Sequence, residues 1–290
     1  MSWRNLTTMI DDVTGGQSSV TSFRKVPSVA TTIGVWYDVS MAPGNPSPNY
    51  YATSQYEAAV LDGRKGLYYG VSGNTGTRHL CKTMMMASAV TPLPMRVSIM
   101  DYVMYYPLVD TSTTDEQLMI NDTASLPRYT DGDGLQIMPV FTHSPSAPTG
   151  LTFTISYTNQ AGASGRTATG SFGAGILAGT IACTDRTKSV TGSHASPFAC
   201  LQTGDTGVRS IESFTMVSGT DVGLLALVLV KPLAQFTMIE QTAPVEMCYF
   251  TDFFSMPQIQ DGAYLNFVVC PSGSLSAITL MGTIETSWSE

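Results

Sequence analysis

Leu151-Thr152-Phe153-Thr154-Ile155-Ser156-Tyr157-Thr158 alternates apolar and hydroxyl side chains without a fault. A period of two puts Leu151, Phe153, Ile155 and Tyr157 on one face of a strand and the hydroxyls on the other. A strand apolar on one side only belongs to an antiparallel sheet with one face in a core. Three further segments extend this reading. Val222 to Leu233 is a nearly continuous apolar run ended by Lys231-Pro232, and it predicts a strand buried on both faces. Ala263 to Cys270 predicts another, stopped by Pro271-Ser272-Gly273. Ile278, Leu280, Ile284 and Trp288 share one face of a last strand, and Ile33, Val35 and Tyr37 suggest one near residue 31.

Helix is a minor component. Ser54-Gln55-Tyr56-Glu57 has the form of a capping box, and with Ala58 to Leu61 and Gly63 it predicts about two helical turns. A second short helix is expected from Thr113 or Thr114 through Gln117. The fold class that follows is mainly β, an antiparallel sandwich or jelly-roll-like arrangement with one or two short helices. Residues 1–30 are polar and lack a sustained period, so they read as an N-terminal arm. Residues 31–290 read as a single β-rich domain. Within it, 159–197 is rich in Gly, Ser, Thr and Ala and reads as an excursion from the main sheet, entered as a hairpin after the strand at 151–158. No repeat of about 20–50 residues is visible, so solenoids and propellers lack support.

Composition narrows the function classes. Only 12% of the 290 residues are charged, against about 25% in an ordinary soluble domain. Hydroxyl residues replace them, with 30 Ser and 37 Thr. A net charge of −8 disfavours electrostatic binding to nucleic acid. No apolar run reaches the roughly 18 residues of a membrane-spanning helix, so neither nucleic acid nor membrane is an expected partner. No apolar segment follows Met1-Ser2-Trp3-Arg4-Asn5, so a secretory leader is not expected, and the sequons at Asn5 and Asn121 read as chance matches. Cys81, Cys183, Cys200, Cys248 and Cys270 are scattered, with no C-x-x-C pair, and read as reduced, buried thiols.

No segment carries a decisive catalytic or ligand motif. His79, His143 and His194 have no ligand companion at i+2, i+3 or i+4, and no Gly-x-Ser-x-Gly elbow occurs. Asp131-Gly132-Asp133-Gly134 lacks the remaining frame of a calcium loop and reads as a glycine turn. Gly70 to Arg78 is glycine-rich but lacks the Lys-Ser/Thr ending of a phosphate loop. No catalytic, cofactor-binding or metal residue is therefore assigned, and the protein is expected not to be an enzyme. Met84-Met85-Met86 is unusual because three neighbours cannot all face inward on a strand, so at least one is expected to meet a second element or another subunit.

A resemblance is carried by the order of several segments: Gly34-Val35-Trp36-Tyr37-Asp38-Val39-Ser40-Met41-Ala42-Pro43-Gly44 leading to Asn49-Tyr50-Tyr51, then Tyr129-Thr130-Asp131-Gly132, Asp221-Val222-Gly223-Leu224, Lys231-Pro232-Leu233 and Asp261-Gly262-Ala263-Tyr264-Leu265-Asn266. Over most of its length the chain resembles virion structural proteins of tailed bacteriophages. The resemblance implies a protein made in the host cytoplasm that assembles into a particle, and it brings no catalytic residues. Without the long helical period of a major capsid protein, a cement or decoration protein on the capsid exterior, associating with itself and with shell subunits, is the first expectation. A tail, connector or fibre-associated protein with host-glycan binding is the alternative. A hydrolase with a dispersed histidine site is the reading from a different class.

Overall fold

The computed structural model describes residues 6–70, 77–148, 150–173, 177–182, 196–252 and 256–289. Strand makes up 46% and helix 7%, with antiparallel sheets, so the chain has the mainly β, sandwich-like fold that the alternation predicts. In chain order the elements are α1 (Leu6–Thr14), β1 (Ser18–Lys25), β2 (Tyr37–Asp38), β3 (Gly44–Asn45), β4 (Ala59–Val60), β5 (Arg78–Ala87), β6 (Met95–Asp110) and β7 (Gln117–Leu118). They continue with β8 (Gln136–His143), β9 (Thr152–Asn159), β10 (Arg166–Ser171), β11 (Val208–Met216), β12 (Leu224–Met238), β13 (Val245–Cys248), α2 (Tyr249–Asp252), β14 (Gln258–Ile259), β15 (Leu265–Pro271) and β16 (Leu280–Trp288).

Three sheets result. The central one runs β2-β15-β6-β12-β8, a second β13-β5-β16-β1-β3, and a third β10-β9-β11-β7; β4 joins β6, and β14 joins β5. The organising element is the β6–β12 pair, which runs antiparallel from Met95↔Met238 to Asp110↔Leu224 with three register shifts along it. At about 3.3 Å per residue this ribbon is roughly 50 Å long. Its two halves serve two cores. Val97, Ile99, Phe236 and Met238 pack with Phe23, Leu80, Met85 and Ile284 of the second sheet. Val103, Tyr106, Leu225 and Leu227 pack with Phe153, Ile155, Ile211 and Phe214 of the third. Two sandwiches therefore share one ribbon.

The central sheet is also joined edge to edge. Phe141 N–H donates to Thr180 O (2.9 Å) and Ala182 N–H to Pro139 O (2.8 Å), while Ile181 N–H donates to Trp36 O (2.9 Å) and Asp38 N–H to Gly179 O (2.8 Å). Residues 179–182 thus link β8 back to β2 and cover edges that would otherwise be open to other chains.

Several local expectations are corrected. Residues 54–62 are not helical, and Gly63 only opens a single 3-10 turn to Lys65. Tyr56 sits in the left-handed region (φ 62°), and the N–H groups of Tyr56, Ala58 and Leu61 donate to Pro107, Ile120 and Val103 instead of to a preceding turn. Two isolated turns are marginal in water, whereas lying along β6 buries Ala58 and Leu61. Residues 113–117 are not helical either. The Gln117 amide bonds both the N–H and the C=O of Asp110 at 2.7 Å, which ties the segment into a loop. The strand expected near residue 31 shrinks to β2. β12 does not end at Lys231-Pro232 but continues to Met238, because pairing with β8 stops at Val230, so the proline lacks no ladder partner on that side. The stretch read as a polar arm carries α1 and then β1, which pairs along its whole length with β16. Of 159–197, the expected hairpin is formed by β9 and β10, and 179–182 belong to the central sheet; 174–176 and 183–195 lie outside the described residues.

Candidate assembly surface

The residues that first suggest chemistry are not brought together. His79 lies on β5, half-buried, with Nδ1 3.4 Å from Met256 O; burial holds its pKa below the usual histidine value. His143 ends β8 in another sheet and is exposed, and His194 lies outside the described residues. Among the described residues no three His, Cys, Asp or Glu side chains form a metal-binding group. Asp131-Gly132-Asp133-Gly134 is a turn, with Gly132 and Gly134 at φ 75° and 71°. Its Asp133 carboxylate accepts from Thr206 Oγ1 (2.6 Å). Residues 71–76 of the glycine-rich 70–78 stretch are outside the described residues. Of the described cysteines, Cys81, Cys200, Cys248 and Cys270 form no disulfide, and among these only Cys270 is buried, the others being half-buried.

Three ionic clusters, two buried and one part-buried, none legible in the sequence, hold loops onto the sheets. Asp38 accepts from Ser40 N–H (2.9 Å), Ser40 Oγ (2.8 Å), Tyr51 Oη (2.5 Å) and Tyr102 Oη (2.7 Å). Burial nevertheless raises its pKa, because these hydrogen bonds only partly offset desolvation. Lys25, fully buried, donates to the carbonyls of Ala42 and Pro46 (both 2.8 Å) and Ser40 (3.3 Å). Asp101 is gripped on both oxygens by Arg128 and accepts from Tyr264 N–H (2.9 Å). Asp205 accepts from Arg166 Nε (2.8 Å) and Nη2 (3.0 Å), Tyr157 Oη (2.5 Å) and Asn159 Nδ2 (2.7 Å). In each case the partners come from the chain itself and converge on one carboxylate, the pattern of an internal clamp.

The outer face of the third sheet differs. Thr152, Thr154, Ser156 and Thr158 of β9 point away from the core, as their alternation requires. Cross-strand pairing sets Thr169 of β10 and Thr215 of β11 on either side of Thr154, and Thr167 beside Ser156. The carboxylate in this field, Glu212, accepts from Ser156 Oγ (2.9 Å), Thr158 Oγ1 (2.7 Å) and Gly165 N–H (3.0 Å). Burial pushes its pKa up, but these three donors outweigh burial and hold it below the usual glutamate range. The result is a hydroxyl-lined face without a lysine among the described residues.

The second sheet offers a different surface. Met85 points into the core, while Met84 and Met86 are half-buried on the opposite face, with Met281 of β16 paired to Met86. The methionine triplet thus splits between core and outer face. At the edge of this sheet β1 pairs with β16, but on its other side only Arg24 and Lys25 pair with β3. Among the described residues nothing else pairs there, so Ser18 to Phe23 present an open edge, with Val20 66% exposed. Next to it α1 exposes Ile10 and Val13, neighbours at i, i+3.

A cavity of about 430 Å³ lies where the two halves of the ribbon meet, lined by Trp36, Arg96, Phe198, Pro232 and Gln235 among others. The Arg96 guanidinium lies 5.3 Å from the centre of the Trp36 ring and donates to Cys270 Sγ (3.6 Å). Trp36 Nε1–H is buried without an acceptor among the described residues. A cation beside apolar and aromatic walls suits an acceptor-rich or anionic small molecule.

Comparison with known proteins finds no matching family model, no matching curated protein and no matching solved structure.

Proposed function

We propose that the protein is a non-enzymatic structural component of a bacteriophage particle, a cement or decoration protein that binds the capsid exterior and associates with itself. The observation that supports this most is the outer face of the third sheet. There the chain places threonine and serine side by side on the outward positions of β9, β10 and β11, a face that carries little charge. Its carboxylate Glu212 is already held by three internal donors. Interface cores are depleted in Lys, Glu and Asp for the same physical reason: an unpaired charge resists desolvation. The order of segments resembling tailed-phage virion proteins supports the same reading. The test is the double variant Thr154→Lys with Thr169→Lys, which places two cations on the hydroxyl face without touching the core. Its binding to purified shells is expected to fall by about tenfold or more with an unchanged circular dichroism spectrum. Undiminished binding would take this face out of the interface.

The alternative, a tail, connector or fibre-associated protein that contacts host glycans, is favoured by the Trp36–Arg96 cavity, whose arginine and aromatic wall suit an acidic sugar. Immuno-labelling of particles separates the two placements.

A further inference from the structure

We infer that two copies of the chain pair through the open edge of β1, antiparallel and about a two-fold axis passing beside Val20. This rests on the assembly reading above and names the partner: a second copy of this chain.

The backbone parity of the edge follows from one hydrogen bond. Trp288 N–H donates to Gln17 O (3.1 Å), and β1 pairs with β16 in a register whose numbers sum to 305. In an antiparallel ladder the groups of alternate residues point to the same side. Gln17, Ser19, Thr21 and Phe23 therefore turn their N–H and C=O toward β16, and Ser18, Val20 and Ser22 turn theirs outward. The bond from Val26 N–H to Pro43 O (2.8 Å) continues this parity on the β3 side. The free edge is thus bounded, by β3 beyond Ser22 and by the Gly15–Gly16 turn before Ser18.

That segment is complementary to itself. A two-fold axis at Val20 sets Val20 against Val20 and Ser18 against Ser22, with every outward N–H facing an outward C=O. Ser22 O also accepts from Asn45 Nδ2 (3.3 Å), which leaves its second lone pair for the partner. No charged residue lies between Gln17 and Phe23, so no like charges meet at the axis. Charges do lie beyond the ends, and they have opposite signs: Asp11 and Asp12 precede the edge and Arg24 follows it. Antiparallel pairing brings the acidic end of one copy toward the basic end of the other, whereas parallel pairing would set like against like. The exposed Ile10 and Val13 of α1 lie next to the edge in sequence and supply apolar surface that an edge of this length lacks.

The test is a charge pair placed on the axis. Val20→Lys and Val20→Glu, both at a side chain 66% exposed, are expected to leave the melting curve of the monomer unchanged. In sedimentation equilibrium the unaltered protein is expected to dimerise with concentration. Each variant alone is expected to weaken that dimer by about tenfold or more, and an equimolar mixture to restore it. Val20→Cys is expected to form a disulfide-linked dimer under mild oxidation, and Val90→Cys, also exposed, to form none above the background of the native cysteines. An unaltered chain that stays monomeric and does not cross-link through position 20, or a dimer indifferent to both charge variants, would overturn the inference. A dimer dependent on Val20 in a protein absent from particles would leave the pairing standing and refute the particle role; a particle protein indifferent to these variants would do the reverse.

Discussion

At Asp205 four donors from Arg166, Tyr157 and Asn159 converge on one carboxylate. Arg166 first, then the hydroxyl and amide hydrogen bonds, hold its pKa down to about 2. A carboxyl depressed below its unfolded value stabilises the fold above the unfolded pKa, and this contribution is lost as the pH falls toward 2. Asp205→Asn is expected to destabilise the protein by roughly 1–2 kcal/mol at neutral pH in urea unfolding, because Arg166 and Tyr157 lose their anion while water reaches Arg166 and screens the pair. It is also expected to flatten the loss of stability between about pH 4 and 2. Lys25 has the opposite sign. Burial lowers its pKa to about 8, with Asp38 nearby opposing the shift. Between pH 8 and the unfolded value of 10.5 the unfolded chain binds more protons, so this lysine makes stability rise with pH. Relative to Lys25→Met, the unaltered protein is expected to gain about 3 kcal/mol across that window. The buried tyrosines and cysteines contribute equally to both proteins and cancel. A constant difference across the window would contradict a buried, partly neutral Lys25.

At the scale of elements, legibility followed burial. β9 was legible because its alternation is complete and its inner face is wholly buried, and the centre of β12 because six residues from Leu225 to Val230 are buried on both faces. The helix expected at 54–63 failed because its capping box is a local preference, while the N–H groups of Tyr56, Ala58 and Leu61 are taken by distant carbonyls of β6 and Ile120. α1 was missed, although Leu6, Met9, Ile10 and Val13 recur at i, i+3, i+4 and i+7 and Gly15-Gly16 closes the run. The polar residues between them masked the period. Close sheet contact leaves its own signature at Gly282 of β16, where a Cβ would collide with the Met84 carbonyl of β5. Gly282→Ala is expected to cost roughly 2–4 kcal/mol in thermal or urea unfolding, since two paired backbones must separate to admit a methyl group. A near-neutral effect would mean that β16 and β5 do not pair in this register.

For the whole molecule, low charge acquires a location. The hydroxyl face of the third sheet could be read from residues 151–158, because alternation alone sends Thr152, Thr154, Ser156 and Thr158 outward. The open edge of β1 could not, because edge status depends on strand order: β1 lies at the side of a sheet whose neighbour, β16, is more than 250 residues away in the chain. The internal clamps on Asp38, Asp101 and Asp205 also join residues distant in sequence, which is why carboxylates with no local motif prove to be structural. On the outer face of the third sheet, the described strands turn mainly hydroxyls outward, groups that gain little from water compared with charges and lose little when another surface covers them. The proposed role is that of a protein that acts by being covered. The most direct measurement is its copy number in purified phage particles by quantitative mass spectrometry, with labelling to place it on the shell. The account predicts many copies per particle in a fixed ratio to the shell subunit, and absence from the particles, or a trace amount without fixed ratio, would contradict it.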